Sequence, residues 1–227
     1  MSKKAKWVLI AAVALLAIAA AIVLLVTHNK PETDNTKSIL NEKIVLNGLE
    51  IQELYSYSGK FVEDGSDKKV KNTLAAKVKN CTGRDIEYAE IELAYGGGMY
   101  SFSVSALPAG KTAQLIEMNM AACPEASDDV QANLVYLVSY EKPLSLNENA
   151  IAIEGNKGSL TLKNISEADI SGSIIVCYKN VSDGEYLGGI AYRAKIDTGL
   201  AAGASVILNA NHFNPDASEI IFVSYGQ

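Results

Sequence analysis

Leu74-Ala75-Ala76-Lys77-Val78-Lys79-Asn80 and Leu160-Thr161-Leu162-Lys163-Asn164 converge on the same Lys-Asn pair, and the stretches downstream of the two pairs run in parallel. After the first come Asp85-Ile86, the alternating Ala89-Glu90-Ile91-Glu92-Leu93, the turn Leu107-Pro108-Ala109-Gly110 and the closing run Leu134-Val135-Tyr136-Leu137-Val138-Ser139-Tyr140. After the second come Asp169-Ile170, residues 173–178, Leu200-Ala201-Ala202-Gly203 and Ile220-Ile221-Phe222-Val223-Ser224-Tyr225. The offset is 84 residues at Lys-Asn, 93 at the glycine of the turn and 85 at Val-Ser-Tyr, and the swelling between them maps to a longer hairpin over residues 179–190. The entries agree too: Glu42-Lys43 with Leu46-Asn47 is echoed by Glu141-Lys142 with Leu146-Asn147. Such self-similarity means two copies of one folding unit.

Inside each copy the apolar residues alternate, as at Leu74, Ala76 and Val78 or Tyr100, Phe102 and Val104, which is the period of a half-buried strand. Turn signals arrive about every ten residues, among them Asp64-Gly65, Gly96-Gly97-Gly98 and Asp183-Gly184. Short strands at that spacing predict a two-sheet sandwich of about seven strands per copy. The fold class is therefore all-β: a single N-terminal transmembrane helix followed by two tandem immunoglobulin-like β-sandwich domains, residues 39–141 and 142–227, with almost no linker between them. The only tryptophan, Trp7, lies outside both copies, so the buried Trp of true immunoglobulin domains is missing.

Residues 7–26, WVLIAAVALLAIAAAIVLLV, carry no charge. At about 1.5 Å per residue they make a helix of about 30 Å, the thickness of a hydrocarbon core. Lys3, Lys4 and Lys6 precede this run with no acid among them, which predicts a cytoplasmic tail over residues 1–6 and everything after the run outside the cytoplasm. A cleaved secretory signal is the competing reading, with Ala17-Ile18-Ala19 as cleavage-like residues, but the apolar run continues past that point. Residues 27–38 read as a polar linker.

The chain carries a formal charge of −6, and with the three N-terminal lysines set apart 17 basic residues face 26 acidic ones, about −9. Nucleic acid is thereby disfavoured as a partner. Three cysteines, an odd number, cannot make a full disulfide framework. Cys177, within Ile174-Ile175-Val176-Cys177-Tyr178, reads as a buried thiol, whereas Cys81 and Cys123 fall near strand ends and are open either to pair or to stay free.

Candidate chemistry is sparse. His28 and His212 are the only histidines, too few for a histidine zinc site or a Ser-His-Asp arrangement, so no catalytic residue, cofactor or metal is expected and the chain reads as a non-enzyme. Acidic pairs at Glu63-Asp64, near Asp67, and at Asp128-Asp129 lack calcium-loop spacing, and residues 64–69 read as a solvated hairpin. Of eleven tyrosines, Tyr88, Tyr95, Tyr100, Tyr136, Tyr140, Tyr178 and Tyr225 sit in strand patterns that core packing explains. Tyr55, Tyr57, Tyr186 and Tyr192 are the surface candidates for ligand binding. Asn80-Cys81-Thr82, Asn164-Ile165-Ser166 and Asn180-Val181-Ser182 fit the glycosylation acceptor pattern, and the first two are equivalent turns of the repeat.

Residues 57–65, YSGKFVEDG, with Lys79-Asn80, residues 86–93 and Leu107-Pro108-Ala109-Gly110, resemble membrane-anchored tandem β-sandwich proteins of Gram-positive, clostridia-type bacteria, similar in layout to FxLYD domains, although the FxLYD string itself is not present. The resemblance covers residues 39–227 and implies an envelope location, with the membrane and other envelope proteins as partners and no catalytic residues. The expectation is a membrane-anchored extracytoplasmic binding or scaffold protein of the cell envelope, whose binding lies in loops and edge strands. A cell-wall glycan or small-ligand receptor using the four surface tyrosines is the alternative.

Overall fold

The computed structural model describes residues 38–125 and 129–226, so the predicted membrane helix and most of the polar linker lie outside the described residues. Among the described residues no helix is long and apolar enough to cross a membrane. Thr36–Gln227 form one compact unit, and its described part is all-β, consistent with a sandwich.

The first copy supplies β1 (Ile44–Leu46), β2 (Leu49–Phe61), β3 (Lys68–Asn80), β4 (Ile86–Tyr95), β5 (Gly98–Leu107), β6 (Thr112–Ile116) and β7 (Val130–Ser139). The second supplies β8 (Ile151–Asn156), β9 (Ser159–Asn164), β10 (Ile174–Ser182), β11 (Glu185–Leu187), β12 (Tyr192–Ile196), β13 (Ser205–Asn209) and β14 (Ser218–Tyr225). Asn47-Gly48, both at positive φ (48° and 88°), turn β1 into β2, a geometry that suits the twist of a hairpin. Alternation along the strands then sorts the two faces of each sheet. Leu49, Ile51, Leu74, Ala76, Val78, Ala113 and Leu115 from one sheet bury into a common core with Ala89, Ile91, Leu93, Phe102 and Val104 from β4 and β5. A second core gathers Ile151, Leu160, Leu162 and Leu208 with Ile174, Val176, Tyr178, Ala194 and Val223.

Three sheets result. β5-β4-β7 and β13-β9-β8 each belong to one copy. The third has eight strands and crosses from copy to copy in the order β1-β2-β3-β6-β11-β10-β12, with β14 on β10. The crossing is made by β11, which is antiparallel to β10 and parallel to β6.

The repeated Lys-Asn explains itself in the structure. Asn80 is fully buried, and its Nδ2 donates to the carbonyls of Arg84 (2.8 Å) and Leu107 (2.9 Å) while its Oδ1 accepts from the Thr82 amide (3.0 Å). Asn164 repeats this with Ala168 (2.8 Å), Leu200 (2.9 Å) and Ser166 (2.9 Å). Asp85 and Asp169 each cap the next turn by accepting from Ala109 and Ala202. The acceptor-pattern asparagines at 80 and 164 are thus pins of the fold, both amide hydrogens committed, and have no room for a glycan in the folded chain.

Candidate functional site

The two places where the copies differ most are both places where they meet. β2 and β3 are 13 residues long against 6 for β8 and β9, so the β2–β3 hairpin of the first copy overhangs the second. The β10–β11 hairpin of the second copy reaches back onto β6. Tyr57, Phe61, Val62, Ala75 and Ile116, with Tyr55, Val70 and Leu187 against them, form an apolar seam along this clasp.

Two charged side chains, one on each side of the Gly189-Ile190 backbone, lock it. Lys179 is fully buried, and its Nζ donates to the carbonyls of Ser105 (3.0 Å), Gly189 (2.8 Å) and Ile190 (2.7 Å). On the other side of the same backbone, the Glu63 carboxylate accepts from the amides of Ile116 (2.8 Å), Gly189 (2.8 Å) and Ile190 (3.2 Å). Three acceptors around the nitrogen and three donors around the carboxylate match an ammonium and a carboxylate, the ionised pair. Burial pulls the Lys179 ammonium down to about 8, opposed by the nearby Glu63 charge. Burial likewise pushes the Glu63 carboxyl up, opposed by the amide donors and by Lys179. Gly189 threads between them because a Cβ there would overlap the Ser103 carbonyl oxygen. Residues 64–69 form the solvated hairpin expected, with Asp64 and Asp67 paired at the surface with Lys68 and Lys60, whereas Glu63, just before it, turns its carboxylate inward.

Three of the four tyrosines expected at the surface lie inside, which corrects that expectation. Tyr57 is 3 % exposed, Tyr186 2 % and Tyr192 7 %, and Tyr55 is half-buried against the seam. Their hydroxyls serve the fold: Tyr57 donates to the Lys60 carbonyl (2.8 Å) and Tyr186 to Glu219 (3.0 Å). The Tyr186 ring sits beneath the ammonium groups of Lys111 (5.5 Å) and Lys179 (5.8 Å). Tyr192 stacks on His212 with ring centroids 4.3 Å apart. Rings so placed offer no face to a sugar, so the four do not assemble into a ligand platform.

The exposed aromatic surface lies elsewhere, where the sequence pattern points to core. Tyr136 is 54 % exposed, and Val135 beside it is 46 % exposed. The cause is a bulge: Glu90 pairs with Tyr136 and Ile91 with Leu134, so Val135 is extra and the alternation shifts there. Tyr136 packs at 5.9 Å on Tyr88 across the outer face of β4 and β7.

All three cysteines are free, Cys81 exposed, Cys123 half-buried and Cys177 buried. Cys177 is the small hydrophobe expected, its thiol pushed up to about 11 by burial. Among the described residues no cluster of three or more His, Cys, Asp or Glu side chains could hold a metal. A groove of about 320 Å³ near β8 and β14 is lined by Leu146, Ile151, Ile153 and Ile220 with a lone carboxylate, Glu148. No family model, no curated protein and no solved structure matches the chain significantly.

Proposed function

We propose that this chain is a non-enzymatic, membrane-anchored binding or scaffold protein of the cell envelope. In this reading residues 7–26 span the membrane with the N-terminus in the cytoplasm, and residues 39–141 and 142–227 are two immunoglobulin-like sandwiches displayed outside. The clasp is the observation that supports it best. Two copies locked by reciprocal hairpins and by the backbone hydrogen bonds of Lys179 and Glu63 form a stiff arm, and a stiff arm behind a membrane helix holds a binding surface at a fixed distance from the bilayer. Partners are other envelope proteins, and the acidic surface disfavours nucleic acid.

Cys81, the exposed thiol, tests the topology directly. A membrane-impermeant maleimide should label it in intact cells, and the labelled chain should stay with membranes through an alkaline carbonate wash. Labelling only after lysis would place the sandwiches in the cytoplasm and end the proposal, and release by carbonate would remove the anchor.

A further inference from the structure

The bulge that exposes Val135 has a counterpart in the second copy. There Cys177 pairs with Phe222 and Tyr178 with Ile220, leaving Ile221 extra, so the outer face of β10 and β14 is the equivalent of the outer face of β4 and β7. In the second copy this face is covered: Ile221 is 7 % exposed, and Cys177 and Ile221 belong to the core cluster of the first copy. In the first copy the same positions hold Glu90 for Cys177, Val135 for Ile221 and Tyr136 for Phe222, and they stand in solvent or half-buried.

The charge at the next outward position is inverted as well. Lys179 on the covered face is answered by Glu63 of the domain that covers it, whereas the equivalent residue on the open face is Glu92. β4, β5 and β7 together contain Glu87, Glu90 and Glu92 and no lysine or arginine.

We infer that the outer face of β4 and β7 is a protein-docking surface for a partner whose apolar centre packs on Tyr88, Val135 and Tyr136 and whose lysines or arginines meet Glu90 and Glu92. An aromatic and aliphatic centre with charged neighbours is the composition of an interface core and rim. Self-association through this face would set acids against acids, and anionic lipid would be repelled, so the occupant is a different, basic protein. This inference rests on the reading of the chain as a binding protein and names the surface and the partner's chemistry.

The test is site-specific photocrosslinking of the full-length chain in its native host, with benzoylphenylalanine placed singly at Val135, at Tyr136 and, as an equally exposed control, at Ile207, which is 72 % exposed on β13. The expected result is one adduct shared by positions 135 and 136 and absent at 207, in which the attached protein is basic. Its yield should fall about tenfold in E90Q/E92Q, the loss of about 1.4 kcal/mol of binding, and should fall again with added salt. An adduct at 207 but not at 135 or 136 leaves the chain a binder and overturns this face. No adduct at any position counts against both readings. An adduct of twice the chain's own mass, or one indifferent to E90Q/E92Q and to salt, overturns the basic partner. Salt dependence is read on the unmutated glutamates, so the result stands even where the double variant folds poorly.

Discussion

The outer face of β10 and β14 and the outer face of β4 and β7 occupy the same place in the repeat, carry the same bulge, and have opposite fates. One is interior because the other copy lies on it; the other is surface. The difference shows that a strand's burial is decided by what packs against its second face as much as by its own copy. Ile174-Ile175-Val176-Cys177-Tyr178 is apolar on both sides because both sides are covered. Ala89-Glu90-Ile91-Glu92-Leu93 alternates because only one is.

Lys179 and Glu92 make the sharpest contrast. Replacing Lys179 by Ala should leave Glu63 without its nearby countercharge and take the buried ammonium from the carbonyls of Ser105, Gly189 and Ile190, at a cost of about 3–5 kcal/mol. Glu92→Ala, at the equivalent position on the open face, should stay within about 0.5 kcal/mol. Urea unfolding followed by circular dichroism measures both, and comparable losses at the two sites would refute the equivalence.

Ile221 and Val135 repeat the contrast without charge. Ile221→Ala opens a cavity between the copies and should cost about 2–4 kcal/mol, while Val135→Ala should again stay within about 0.5 kcal/mol. Because each copy has a core of its own, weakening the junction should also split a single unfolding transition into two. A Val135→Ala loss as large as that at Ile221 would mean the open face is covered in the isolated protein.

The strands and the repeat are legible because a period of two and paired turns survive in a single sequence. Lys79-Asn80 and Lys163-Asn164 stand out because each asparagine pins a turn in the same way. The junction is not legible. Val-Ser-Tyr matches in letters, but Val138 pairs with Tyr88 on the outer face whereas Val223 pairs with Val176 on the inner one, a one-residue slip absorbed by bulges. No residue type announces a bulge. The tyrosines invert for a related reason: Tyr186 and Tyr192 flank a hairpin that looks exposed until it is known to lie on the other copy, and Tyr136 looks internal until the bulge turns it out. Lys179 leaves a faint signal, a lone cation closing an apolar run.

pH should separate the covered face from the rest of the molecule. Lys179 titrates near 8 in the fold against 10.5 unfolded, so between these values the unfolded chain binds the extra proton and stability rises with pH. The gain from pH 8 to 10 should be on the order of 2 kcal/mol and should vanish in Lys179→Met. Other buried groups act with the opposite sign. Burial pushes Tyr57 and Tyr140 up to about 12, so the folded chain holds protons that the unfolded chain releases, and their stabilisation is lost as pH rises from 10 through 12. Cys177, pushed from 9 up to about 11, acts likewise from pH 9 upward, so Lys179 is read by difference: denaturant midpoints of the unmutated chain should gain on those of Lys179→Met as pH rises from 7 to 10, and no such gain would deny the burial of Lys179.

Tyr136→Ser should change stability least of all. The ring is more than half exposed, its one aromatic neighbour, Tyr88, lies beside it on the same surface at 5.9 Å, and an exposed cross-strand pair of this kind is worth about 0.2–1 kcal/mol. The hydroxyl of serine keeps the β-edge hydrated, so a loss near the bottom of that range is expected by thermal unfolding, beside a marked loss of the adduct formed at Val135. A ring that matters to a partner and not to the fold is what distinguishes an open face from a covered one: Phe222, in the equivalent position, packs edge-on against Tyr140 at 5.6 Å, and its removal should be felt by the fold itself. If Tyr136→Ser destabilised the chain as much as Phe222→Ser, the two faces would be alike in energy, and the exposure of Tyr136 would reflect a packing role rather than a site waiting for a partner.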